Sequence, residues 1–157
     1  MAFGRTVERV NDLDQSISEV GADPRLMWRI EFESAKFLPF LPEESQANPG
    51  VYGFELAAWL SEALARRNVI TTYPFGEDWG WLLDYVEDNV GFNIGCSSVS
   101  SEEEGYQGTP LTWSIFVDSR KSMKQRLAGV DVGGRLQALS AQITAVLKSE
   151  GITWREV

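Results

Sequence analysis

Trp79-Gly80-Trp81-Leu82-Leu83-Asp84-Tyr85-Val86-Glu87-Asp88-Asn89-Val90-Gly91-Phe92-Asn93-Ile94-Gly95-Cys96 is the stretch that decides the fold. Trp79, Trp81, Leu83 and Tyr85 alternate with Gly80, Leu82, Asp84 and Val86, which is the period of a strand with one apolar face. Asp88-Asn89-Val90-Gly91 has the composition of a hairpin tip, and Phe92, Ile94 and Cys96 resume the alternation. Strands joined by so short a turn pair antiparallel, because a parallel partner needs a crossover of roughly a dozen residues.

Upstream, Val69 to Tyr73 is β-branched and aromatic and predicts a strand ending at Pro74. Residues 51–67 predict a helix with Tyr52, Leu56, Trp59, Leu60, Ala63 and Leu64 on one stripe. Glu55, Glu62 and Arg66 fall on its flanks, and Asn68 is a natural stop. Residues 35–50 hold three prolines and end in the turn signal Asn48-Pro49-Gly50. Before them, Leu26, Trp28, Ile30 and Phe32 alternate with Met27, Arg29, Glu31 and Glu33, as in a half-buried strand. Val7, Val10, Leu13 and Ile17 recur three or four apart, the spacing of a short helical arm within residues 1–24, stopped by Gly21 and Asp23-Pro24.

Downstream, residues 97–110 form an acidic loop rich in serine and glycine. Leu111, Trp113, Ile115 and Val117 alternate as another strand. A helix over about 132–149 aligns Leu136, Leu139, Ile143, Val146 and Leu147, and Ile152-Thr153-Trp154 could add a last short strand. The expected architecture is α+β: an antiparallel sheet of about five strands with two or three helices packed on one face. With 157 residues and no composition break, a single domain over 1–157 is expected.

The charge is segregated. Residues 68–119 carry nine carboxylates and no lysine or arginine, which equals the net charge of −9 of the whole chain. Such one-sided fields attract positive partners and repel phosphate, so nucleic acid is not an expected partner. The densest cationic stretch, Arg120-Lys121-Ser122-Met123-Lys124-Gln125-Arg126, lacks a large apolar face, and no run approaches the roughly 20 apolar residues that span a bilayer. The opening Met1-Ala2-Phe3-Gly4-Arg5 lacks the apolar core of a signal peptide, and the lone Cys96 suits a reducing compartment. A cytoplasmic location is therefore expected.

The chain has no histidine, which removes the usual imidazole base and the Ser–His and Cys–His pairs. One cysteine with carboxylates is a poor zinc set, and Glu102-Glu103-Glu104 lacks the alternate oxygen spacing of a calcium loop. Gly129, Gly133 and Gly134 precede the last helix, yet neither they nor Gly91-Phe92-Asn93-Ile94-Gly95 match a nucleotide fingerprint. No cofactor and no metal are expected. The candidate partner-binding residues are Glu77, Asp78, Trp79, Trp81, Asp84, Glu87, Asp88, Glu102, Glu103 and Glu104, carboxylates beside indoles that could anchor an interface.

Asn48-Pro49-Gly50-Val51-Tyr52-Gly53, the Leu56-to-Leu60 helix, Glu77-Asp78-Trp79-Gly80-Trp81 and Ile94-Gly95-Cys96 together resemble a group of small bacterial proteins, over roughly residues 28–100. The resemblance implies a bacterial origin and no particular activity. Size, acidity and charge placement suit a non-catalytic protein such as an immunity protein or antitoxin that neutralises a basic toxin. The alternative is an enzyme or small-ligand protein whose pocket gathers Trp79, Trp81, Tyr85 and Trp113 around Glu77 or Asp78. A third is an assembly subunit or homodimer joined through an apolar patch.

Overall fold

The computed structural model describes residues 26–99, 108, 110–120 and 129–157. Strand β1 (Met27–Ser34) leads through a single 3-10 turn (Glu43–Ser45) to helix α1 (Phe54–Ala65). Strands β2 (Phe75–Glu77), β3 (Gly80–Glu87), β4 (Val90–Ser98) and β5 (Leu111–Ser119) follow, then helix α2 (Val132–Ser149) and strand β6 (Arg155–Glu156). They form one sheet of six strands in the order β2-β3-β4-β5-β1-β6, antiparallel at every pairing. The fold is α+β, with both helices over one face. The arm expected within residues 1–24 lies outside the described residues, as does most of the loop expected at 97–110.

Alternation sets the layers. Ile30, Trp113, Ile115, Phe92, Ile94, Cys96 and Leu83 point to the helices and join Leu56, Leu60, Ile143 and Leu147 in one buried cluster. Each such side chain contributes about 1.5–3 kcal/mol on leaving water, so this layer dominates the stability of the fold. The hairpin tip is tight: Glu87 pairs with Val90, and Asp88 and Asn89 both take positive φ, at 47° and 66°. That is the signature of a type I′ turn, whose twist matches the flanking strands.

Three expectations change. Val69 to Tyr73 is not a strand: Pro74 offers no N–H, and only Thr72 bonds β3, through its N–H to Asp84 O and its hydroxyl from Asp84 N. The edge strand is instead Phe75–Glu77, and the last short strand is Arg155–Glu156 rather than 152–154. Glu55 is not on a wet flank but 6% exposed. Its Oε1 accepts the N–H groups of Phe40 and Leu41 at 2.8 and 2.9 Å, which ties the proline-rich loop to the start of α1.

One crowded point fixes how these layers meet. A Cβ on Gly53 would sit 2.3 Å from Cys96 O, and one on Gly80 would sit 2.6 Å from the same oxygen. Tyr52 reinforces the contact, its C=O accepting Ser98 N at 2.8 Å and its N–H donating to Ser98 Oγ at 3.1 Å. The entry to α1 and the start of β3 are thus pressed against the end of β4. Gly53→Ala and Gly80→Ala are each expected to lower stability by about 2–4 kcal/mol, read from urea unfolding midpoints. Gly151→Ala, at φ 71° with no atom within 4 Å of the added Cβ, is expected to cost only about 1 kcal/mol.

Candidate functional site

Pairing of Glu77 with Gly80 leaves Asp78 and Trp79 as the two-residue turn between β2 and β3. Asn48 Nδ2 donates to Asp78 O, bracing this turn against the turn that ends in Gly50. Glu77 and Asp78 are exposed, and no lysine or arginine among the described residues forms an ion pair with either. Trp79 is 39% exposed.

Trp79 and Trp81 do not share a face. Trp81 points to the helices, is 9% exposed and meets the Phe54 ring edge-on at 5.0 Å. Trp79 belongs to the turn, and the close approach of Gly80 to β4 directs the indole onto the opposite, helix-free face. There it packs at 5.0 Å on Phe116 of β5. Trp113 lies in the core with Trp81, its Nε1 donating to Ser34 O. The four rings that would line a shared pocket, Trp79, Trp81, Tyr85 and Trp113, therefore do not converge, since Trp79 is on the far side of the sheet.

The helix-free face has its own order. Phase along β5 puts Phe116 opposite to Ile115 and Val117, a placement legible in the alternation but overshadowed by the core residues around it. Register aligns Phe75, Leu82, Gly95, Phe116 and Arg29 in one row across five strands. Gly95 is the gap in that row: a Cβ there would stand 2.1 Å from Phe116 Cε1, so the phenyl ring lies flat over its backbone. Arg29 covers the same ring at 5.9 Å, a cation–π contact. The row runs from the Phe75 ring at the β2 end, through Leu82 and the Phe116 ring, to a guanidinium at the β1 end.

The remaining acidic candidates are less available. Asp84 lies 3.3 Å from Arg120, whose guanidinium also rests over Gly91. Glu87 and Asp88 share Arg135 of α2, at 3.7 and 3.1 Å. These pairs, each with one partly buried member, neutralise charge that the segment taken alone presents. Glu102, Glu103 and Glu104 lie outside the described residues.

Burial pushes the Cys96 thiol far above its ordinary range, so the thiolate needed for nucleophilic attack is suppressed. Burial, then the charge of Glu87, raises the Tyr85 hydroxyl as well. Among the described residues no group of three His, Cys, Asp or Glu could hold a metal ion. Gly134 N–H donates to the capping Asp131 carboxylate at 2.9 Å, so the start of α2 already carries its own anion. No described helix is long and apolar enough to cross a membrane. Open grooves of about 370 and 450 Å³ lie along β1, at the other end of the sheet from Glu77 and Asp78.

Comparison with protein-family models, curated proteins and solved structures finds no match to the chain.

The two indoles should separate cleanly in stability. Trp81→Ala is expected to cost about 3–5 kcal/mol, whereas Trp79→Ala should cost about 1 kcal/mol or less. Equal losses in urea denaturation would contradict the assignment of Trp79 to the surface.

Proposed function

We propose that the protein is a non-catalytic, acidic binding protein of the bacterial cytoplasm that engages a basic protein partner, in the manner of an immunity protein or antitoxin. The observation that carries the reading is the turn Glu77-Asp78-Trp79. Two exposed carboxylates without described cationic partners sit beside an exposed indole that packs on Phe116. An aromatic ring already held by packing loses little freedom on binding, which suits it to anchor a contact. Adjacent carboxylates speed encounter with a cationic surface and discriminate against acidic ones. A toxin that acts on nucleic acid must be positive where it holds phosphate, and a compact negative face is suited to block it.

The sheet supports this use mechanically. The row from Phe75 to Arg29 is built on strands β1 to β5, so the face is pre-organised rather than ordered on contact. An open face also favours a macromolecule over a small ligand, which is usually enclosed in a concave pocket.

The test is capture of partners from a bacterial lysate by the wild-type protein, by Trp79→Ala and by Glu77→Gln/Asp78→Asn. A basic protein should be retained at about 50 mM salt and largely released at several hundred mM, as ions screen the surface. Trp79→Ala should weaken retention at least ~10-fold at every salt concentration, and the double carboxamide should flatten the salt dependence. Retention indifferent to all three substitutions would remove this face from the interaction.

A further inference from the structure

Helix α2 forms one wall of the open groove of about 450 Å³ at the start of β1, through Gly133, Gln137, Ala141, Thr144 and their neighbours. Glu156 is the one charged lining residue, and its carboxylate already accepts the Trp28 indole N–H at 3.3 Å. The hydroxyls on the α2 side are turned back into the helix: Ser140 Oγ donates to Leu136 O at 2.8 Å, and Thr144 Oγ1 to Ala141 O at 3.1 Å. The wall is therefore apolar in effect, and Met27, 58% exposed, stands at its rim. Depletion of charge together with exposed methionine is the composition of the centre of a protein interface.

Charge at the two ends of this wall points to its occupant. Asp131, Arg135, Lys148 and Glu150 are the charged residues on or directly flanking α2. Arg135 reaches Glu87 and Asp88, and Glu150 holds Lys36 at 2.6 Å. Asp131 and Lys148 are exposed at opposite ends of the helix, and neither forms an ion pair among the described residues. Gly133, Gln137, Ala141, Thr144 and Lys148 recur three or four apart, so they share one side of α2. We propose that this side packs antiparallel on the α2 of a second copy, about a two-fold axis beside Ala141. Gly133 then faces Lys148 of the second copy and Gln137 faces its Thr144, so each end brings a lysine to an unpaired Asp131 carboxylate. Ala141 at the crossing lets the axes approach to about 8 Å, and antiparallel helices oppose their dipoles. Each copy carries a net charge of −9. At about 0.15 M salt, charges more than about 8 Å apart are largely screened, so the two close complementary pairs decide the register. This dimer is independent of the partner reading, which concerns the turn between β2 and β3.

The test is sedimentation of the full chain at about 0.15 M salt over about 1 to 100 µM protein. The wild-type chain should pass from monomer to dimer within that range. Ala141→Arg and Gln137→Arg, both at exposed positions in the groove, should each leave it monomeric throughout. Two substitutions guard against a fault peculiar to one variant. Ala138→Arg, on exposed α2 surface outside the groove, should change the dimer dissociation constant by no more than about twofold. Lys148→Glu should weaken the dimer about 10-fold by setting like charges against each other at both ends. A wild-type chain that stays monomeric at about 100 µM would overturn the proposal, as would a dimer that survives both groove arginines. A dimer weakened equally by Ala138→Arg, or indifferent to Lys148→Glu, would overturn it as well.

Discussion

Three lengths of backbone meet at the carbonyl of Cys96, and the arrangement of both layers depends on that contact. Gly53 brings the entry of α1 against it from one direction, and Gly80 brings the start of β3 from another. A side chain at either position would occupy space already filled by β4, so the helix could not settle over the sheet at its present depth. The same closeness decides which way the neighbouring indoles point. Trp81 enters the core, Trp79 is left on the opposite face, and the protein acquires a surface aromatic next to two carboxylates. The packing of Trp81 inside and the exposure of Trp79 outside are thus settled by one steric constraint.

Much of this was written in the periodicity of the chain. The strand at 80–87, its tip at Asp88-Asn89, the returning strand and the two amphipathic helices follow from residue spacing and turn chemistry. What could not be read were effects that depend on atoms far apart in sequence. Alternation assigns Trp79 and Trp81 to one face because it assumes a continuous strand, whereas Gly80 breaks the phase through contact with Cys96 and Ser97. Glu55 looks like a solvent-facing helical residue until the amides of Phe40 and Leu41 are seen to need its oxygen. Val69 to Tyr73 has strand composition, but Pro74 and the short β2 leave it almost nothing to pair with.

Charge shows the same division between local and distant information. The segment 68–119 is acidic as a string, but the fold returns arginines to it from outside: Arg120 to Asp84, and Arg135 to Glu87 and Asp88. The field that remains among the described residues narrows to the β2–β3 turn, where Glu77 and Asp78 stand next to Trp79. A diffuse negative surface confers solubility; a concentrated one beside an aromatic anchor is better suited to a defined contact.

The position of β1 has a consequence for the order of assembly. It lies between β5 and β6, both of which come later in the chain, and its register pairs Met27 with Asp118 and Ser34 with Leu111. The meander from β2 to β4 closes through two-residue turns and can form early, whereas β1 must wait for residues about eighty to ninety positions away. During synthesis on the ribosome, Ile30 and Phe32 emerge long before the strand that shelters them exists. The chain therefore cannot fold progressively from its first strand onward: it must complete the middle of the sheet and then draw β1 back in, and its aggregation-prone interval lasts until that return is made.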